Sequence, residues 1–158
     1  HEIEREEGRT YVHAFDDPAV MAGQGTIGLE IAEQCPEVDT VAVPIGGGGL
    51  IAGIATAIKA LTDARVIGVQ AEGAASAAES LRKGEVVERD SVDTIADGIA
   101  TRKIGEETFE VIKARVDEVV TVSDAEIANA LTSLLERSKT LVEGAGAVPL
   151  AAVIEERF

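Results

Sequence analysis

Val43-Pro44-Ile45-Gly46-Gly47-Gly48-Gly49-Leu50-Ile51-Ala52-Gly53 passes from the end of an apolar, β-rich stretch through four glycines into a run of helix formers. The stretch before it, Val38 to Ile45, predicts a strand, and Leu50 to Leu61 predicts a helix. Without side chains, the N–H groups of Gly46, Gly47, Gly48 and Gly49 can close around an anion. The N-terminus of the following helix adds unpaired donors and a partial positive charge. A phosphate site is expected here; the alternatives are a flexible turn or close helix packing. No Gly-Lys-Ser/Thr follows, which argues against a P-loop. Ile51 stands where the dinucleotide fingerprint needs its last glycine.

Outward from this loop the chain alternates strand and helix. Arg65 to Ala71 is a second apolar strand, and Ala74 to Lys83 an alanine-rich helix stopped by Gly84. Acidic Gly84 to Asp93 reads as an exposed loop. A helix follows over Ile104 to Ala114, with Ile104, Phe109, Val111 and Ile112 as its apolar positions. Val116 to Val122 is a third strand, running into Ser123-Asp124-Ala125-Glu126, a helix start with Ser as N-cap and Glu three residues on. The helix after it carries Ile127, Leu131, Leu134 and Leu135 on one face. A last helix is expected over Ala145 to Arg157, and an early one over Thr26 to Gln34, opened by Gly25. Apolar strands separated by helices predict an α/β fold: a parallel sheet with helices on both faces, three layers in all. Ligands of such sheets sit beyond the carboxyl ends of the strands.

The length, 158 residues, fits one domain, and 46% hydrophobic residues suffice for a core. No apolar run is long enough to span a membrane. The first residues, HEIEREEGRT, have no signal-peptide layout, and Cys35 is the single cysteine, so a cytoplasmic protein without disulfides is expected. A net charge of -15 repels nucleic acid and anionic membranes. With 3% aromatics and no Trp there is no base-stacking platform either. The acids are scattered, as on a solvated surface, and Lys is scarce. Such a surface suits a protein made in high salt, where screening relieves self-repulsion.

The Val43 to Gly53 stretch resembles the cofactor-phosphate loop of fold-type II pyridoxal-phosphate (PLP) enzymes, the tryptophan-synthase-β-like group. His13-Ala14-Phe15-Asp16-Asp17-Pro18 with Ala22-Gly23-Gln24-Gly25-Thr26 is similar to threonine ammonia-lyase (threonine dehydratase) and the related serine racemase. Asp93-Thr94-Ile95-Ala96-Asp97-Gly98-Ile99-Ala100 and Val142-Glu143-Gly144-Ala145-Gly146-Ala147 match further blocks of that family, in family order. The resemblance spans about His13 to Ile154. It implies a PLP-dependent deamination of L-threonine to 2-oxobutyrate and ammonia, in amino-acid metabolism and the supply of isoleucine, with serine giving pyruvate. PLP acts there as an electron sink. Serine racemase, threonine synthase and other dehydratases remain open alternatives. So does a non-catalytic phosphate-binding or assembly module.

The resemblance also implies roles. Gly46 to Gly49 with the Leu50 N–H would bind the cofactor phosphate. Asp97-Gly98 would bring backbone close to the cofactor ring, although Asp-Gly is also a good turn. Glu143 would sit near the ring, although a carboxylate at a helix start is favourable in its own right. Gln24 is either a substrate-side contact or a turn residue between glycines. Some relatives bind a divalent cation through a Glu, a backbone carbonyl and an Asp just after a strand. Glu72 and Ser76 match the first two positions, while Ala78 stands at the third. Oxygen ligands of that kind suit Mg²⁺ or Ca²⁺.

The family's cofactor-bearing lysine lies in a Ser-Phe-Lys-x-Arg-Gly-like motif that these residues do not contain. Lys59, Lys83, Lys103, Lys113 and Lys139 all lack that context and read as solvated. The Ser-Gly-Asn substrate loop and the later Ser-Gly-Gly-Asn segment are also missing from the 158 residues. The chain is therefore expected to be a partial PLP domain, the middle of a longer enzyme, inactive alone and prone to form homo-oligomers. His1 and His13 pair with no Ser or Cys nucleophile motif, and a structural or incidental role is expected for both.

Overall fold

A computed structural model of the chain describes residues 2–158; His1 lies outside the described residues. The elements in order are α1 (Glu2–Glu7), α2 (Pro18–Gln34), β1 (Thr40–Pro44), α3 (Gly49–Leu61), β2 (Arg65–Ala71), α4 (Ser76–Lys83), α5 (Glu106–Arg115), β3 (Glu118–Val122), α6 (Asp124–Ser133) and α7 (Gly144–Ile154). Short 3₁₀ turns cover Glu72–Ala74 and Asp97–Ile99.

The three strands are parallel and ordered β1-β2-β3. Thr40 pairs with Arg65 at one end, and Ala71 with Val122 at the other. Successive strands step across the sheet in one direction, so right-handed crossovers lay their connecting helices on a single face. Val41, Val43, Ile45 and Val66 pack there against Ile51, Ile54 and Ile58 of α3, Ala77 of α4 and Phe109 and Ile112 of α5. The opposite face is covered by α6 and α7, where Ile67, Val69, Ala71 and Val122 meet Ile127, Ala130, Val148, Ala151 and Ala152. Alternate β2 residues thus enter two separate cores, as the period of two requires, and six of its seven residues are buried.

The three-layer expectation is met, with shifts at the element ends. α2 begins at Pro18 instead of Thr26 and runs through Gly23 and Gly25 as helix. Asp17 is its N-cap, accepting the Ala19 N–H at 2.7 Å, and Pro18 occupies the first turn, where its missing donor costs nothing. Gly25 serves a close crossing instead of a turn: a Cβ on it would come within 3.3 Å of the Gly53 carbonyl of α3, and a Cβ at Gly53 would overlap the Met21 carbonyl and lie 2.6 Å from the Gly25 nitrogen. Gln24 is accordingly helical. The last helix ends at Ile154, before Arg157.

The Ser123–Glu126 capping box forms reciprocally, and Arg157 additionally pairs with Glu126. Beyond Ser133 a π-type turn over Leu134–Ser138 widens the helix. Leu131 and Leu134 still pack on the core, but Leu135 is rotated out to 51% exposure, off the face expected for it. Among the described residues no helix is long and apolar enough to cross a membrane.

Candidate functional site: a cradle of unpaired N–H groups at the end of β1

A cleft of about 640 Å³ opens beyond the carboxyl end of β1. The glycine run forms one wall, and Phe15, Gln24, Gly98, Ile99 and Glu143 contribute to the others. Gly47, Gly48 and Gly49 are buried. None of the N–H groups from Gly46 to Leu50 donates to another part of the described chain; the first intrahelical bond of α3 is Ala52 N–H to Gly48 O, at 2.9 Å. α3 has no side-chain cap, and its N-cap Gly48 adopts φ 99°, a conformation that disfavours any residue with a Cβ. Buried donors without acceptors cost roughly 1–3 kcal/mol each. A buried, uncapped helix start calls for a ligand. The donor set fits a phosphate: several converging N–H groups, a helix dipole behind them, and no carboxylate in the run.

The segment before α2 builds the back of this cradle. The Phe15 ring lies against Gly47 so closely that a Cβ there would overlap it, and a Cβ on Gly49 would come within 2.9 Å of the Phe15 carbonyl. His13 holds the bend: its Nδ1 accepts the N–H groups of Asp16 (2.8 Å) and Phe15 (3.3 Å), and its ring meets Phe15 edge-on at 4.7 Å. His13 thus has a structural role, the first of the two expected for it, structural or incidental. Asp16 then caps α5 from about 90 residues away, accepting the N–H groups of Glu106, Glu107 and Thr108 at 3.0, 3.0 and 3.1 Å. From α5 the buried Thr108 hydroxyl donates to Gly47 O at 2.8 Å, and the Gly105 N–H donates to the same oxygen at 3.1 Å. Gln70, fully buried in β2, donates to Ile45 O and Ala74 O and accepts the Ala78 N–H, which fixes the chain just before the glycines. Sequence reasoning does not reach Asp16, Gln70 or Thr108, since each acts through partners remote along the chain.

The opposite lip carries Gly98 and Glu143. A Cβ at Gly98 would stand 2.6 Å from Glu143 Oε1 and 3.0 Å from Ala145, and a Cβ at Gly46 would be 3.1 Å from Ile99 Cα. The lip is held by Asp124, which accepts the Thr94 hydroxyl (2.6 Å) and the Ile95 N–H (3.1 Å). Glu143 is the N-cap residue of α7 but makes no side-chain cap bond, leaving its carboxylate turned to Gly98. The structure thus brings Gly46, Gly47, Gly48, Gly49, Leu50, Gly98, Glu143 and Gln24 to one cleft.

Glu72 and Ser76 lie elsewhere, beyond β2. Glu72 is exposed, Ser76 is buried, and the Ser76 carbonyl accepts the Ser80 hydroxyl at 2.7 Å. No group of three or more His, Cys, Asp or Glu side chains is placed to hold a metal among the described residues. Of the lysines, Lys59 is not solvated as expected. It pairs with Asp117 at 2.6 Å and donates to Ala64 O at 2.9 Å, because the residues just before β2 and β3 bring those oxygens to the end of α3. Among the described residues no lysine lines the cleft.

A parallel α/β domain with a glycine-lined cleft beyond a strand end has the architecture of a domain suited to a phosphate-bearing ligand. A family model described as pyridoxal-phosphate dependent enzyme matches residues 1–157, and the chain belongs to that family. It is 56% identical over 157 residues to the L-threonine ammonia-lyase of Geobacter sulfurreducens and 51% identical over 155 residues to that of Thermotoga maritima. These matches cover 99% and 98% of the chain and 39% of each relative, so the chain spans well under half of their length. Among solved structures, a T.th. threonine deaminase superposes with a TM-score of 0.94 at 43% identity, over 99% of this chain and 59% of the other. Maize serine racemase does so with a TM-score of 0.96 at 38% identity, over 99% and 48%. The architecture is that of fold-type II PLP enzymes.

Proposed function

We propose that the protein containing this chain deaminates L-threonine to 2-oxobutyrate and ammonia, and that this chain supplies the site for the phosphate of pyridoxal 5'-phosphate. The unpaired N–H groups of Gly46 to Leu50, the middle three on buried residues, carry the reading. When bound, the cofactor serves as an electron sink at the substrate α-carbon. The chain's own residues bind and orient. The loop N–H groups hold the phosphate, and Phe15 closes the loop from behind against water. Gly98 leaves room for the ring, while Glu143 and Gln24 face the same space. The likeness to enzymes named L-threonine ammonia-lyase supports L-threonine as substrate. The likeness to a serine racemase favours a second reading, in which L-serine is epimerised or deaminated at the same site.

The test is turnover by the complete protein. Formation of 2-oxobutyrate from L-threonine supports the first reading, and D-serine from L-serine the second. Phosphate-dependent PLP binding with no turnover of either amino acid would leave a non-catalytic binding module. A divalent cation at Glu72 and Ser76 would need further oxygen ligands, from water for example, since Ala78 offers no side-chain oxygen; a rise in melting temperature with Mg²⁺ or Ca²⁺ that Glu72→Gln abolishes would support it. Self-association is expected through exposed apolar side chains such as Leu29, Leu61 and Leu141. A cytoplasmic location is consistent with the single exposed cysteine, Cys35.

A further inference from the structure

The geometry points to Thr108 as a positioning residue for the cofactor phosphate: its hydroxyl sets the orientation of the Gly47–Gly48 peptide and so aims the Gly48 N–H into the cleft. The inference rests on the phosphate-site reading above. A trans peptide points its C=O and its N–H in opposite directions. The Gly47 carbonyl is turned toward α5, where it accepts from Thr108 Oγ1 at 2.8 Å and from the Gly105 N–H at 3.1 Å. The Gly48 N–H therefore points away from α5, toward the cleft that the loop lines. Thr108 Oγ1 also lies 3.2 Å from Gly105 O, but one hydroxyl has one proton, and the shorter contact takes it.

Thr108 is itself fixed. It is fully buried, and its N–H donates to Asp16 Oδ1. Its hydroxyl fills the space beside Gly48, where a Cβ would come within 2.8 Å of Oγ1. It does not line the cleft. Its effect on a bound phosphate runs through the loop peptide alone, at the position with φ 99°. A glycine run is free to turn its peptides either way when nothing holds them. Here the carbonyl's two donors choose one way before a ligand arrives, so the ordering cost is met in folding and not in binding.

The experiment compares the affinity of the complete protein for pyridoxal phosphate with its affinity for pyridoxal, which lacks the phosphate, by absorbance titration. Thr108→Val keeps the shape and removes the donor; Thr108→Ser keeps the donor. The expected result is that Thr108→Val binds pyridoxal phosphate about tenfold more weakly, with pyridoxal changed by less than about twofold. Thr108→Ser should keep the wild-type preference. A wild-type protein with no preference for the phosphorylated ligand would overturn the site reading itself. A wild-type preference that Thr108→Val retains in full, or an equal loss for both ligands, would overturn the role of Thr108 and leave the site reading standing. Should Thr108→Val fail to fold, Thr108→Cys, a weak donor, replaces it. Loss of the preference in Thr108→Cys but not in Thr108→Ser supports the inference; an equal preference in the two sinks it.

Discussion

A single methyl group at position 47 would overlap the Phe15 ring, against which the His13 ring packs edge-on. Gly47→Ala should therefore cost about 1–3 kcal/mol of stability by overpacking, read by denaturant unfolding, and should abolish the preference for pyridoxal phosphate over pyridoxal. Asp16→Ala removes the acceptor of three N–H groups at the start of α5 and should cost about 1–2 kcal/mol in the same assay. At this scale the sequence is half legible. The glycine run carries a local signal, because unsubstituted backbone between a strand and a helix can close around an anion, although a flexible turn or close helix packing would use it too. Thr108, Asp16 and Gln70 carry no local signal, because each side chain is defined by a partner that only the folded chain brings near. Gly98 and Glu143 are reached through resemblance, not through residue chemistry, and the close approach of Glu143 Oε1 to Gly98 supplies the physical reason for pairing them.

Elements are easier to read than their ends. The three strands and the helices after them follow from apolar periodicity, and the capping box at Ser123 marks the start of α6 to the residue. The start of α2 is hidden because Gly23 and Gly25 look like helix breakers, whereas here Gly25, with Gly28 further along, permits close approach to α3. The π-type turn that turns Leu135 outward has no periodic signature at all. Two carboxylates tie elements together and make the fold sensitive to acid. Burial pushes the Asp117 carboxyl up, but the Lys59 ammonium, the Val66 N–H and the nearby Arg65 outweigh it, so its pKa lies below the ordinary 3.8. The Ser123 N–H, aided by the Ser123 hydroxyl and Arg157, holds Glu126 below its ordinary 4.5. Both groups have folded values under their unfolded ones. Their stabilisation is thus complete above those ordinary values and is lost as pH falls through them and on through the lowered folded values. Stability should change little through these groups between neutral pH and about pH 5, then drop, and Asp117→Asn should flatten part of that acid limb while lowering stability at pH 7. Urea unfolding at a series of pH values checks both.

Across the whole molecule the dominant quantity is the charge of -15 carried by 158 residues. Self-repulsion of that size is relieved by screening, so the melting temperature should climb between about 0.1 and 1 M KCl; a stability maximum at low salt would contradict the expectation of a salt-adapted surface. The same field opposes any approaching anion, so a phosphate held at the end of β1 would depend on short-range donors there. Those donors are shaped by a contact between residues 92 apart, Asp16 and Thr108, whereas β1, α3 and β2 assemble from near neighbours. Closing so long a loop is entropically late work. Refolding should therefore produce a sheet-containing species before the anion cradle is finished, and the cradle should be among the first parts to open under mild denaturant. A cell making this protein would then have free cofactor acting as a clamp on the last folding step, and cofactor shortage would show first as shortened protein lifetime.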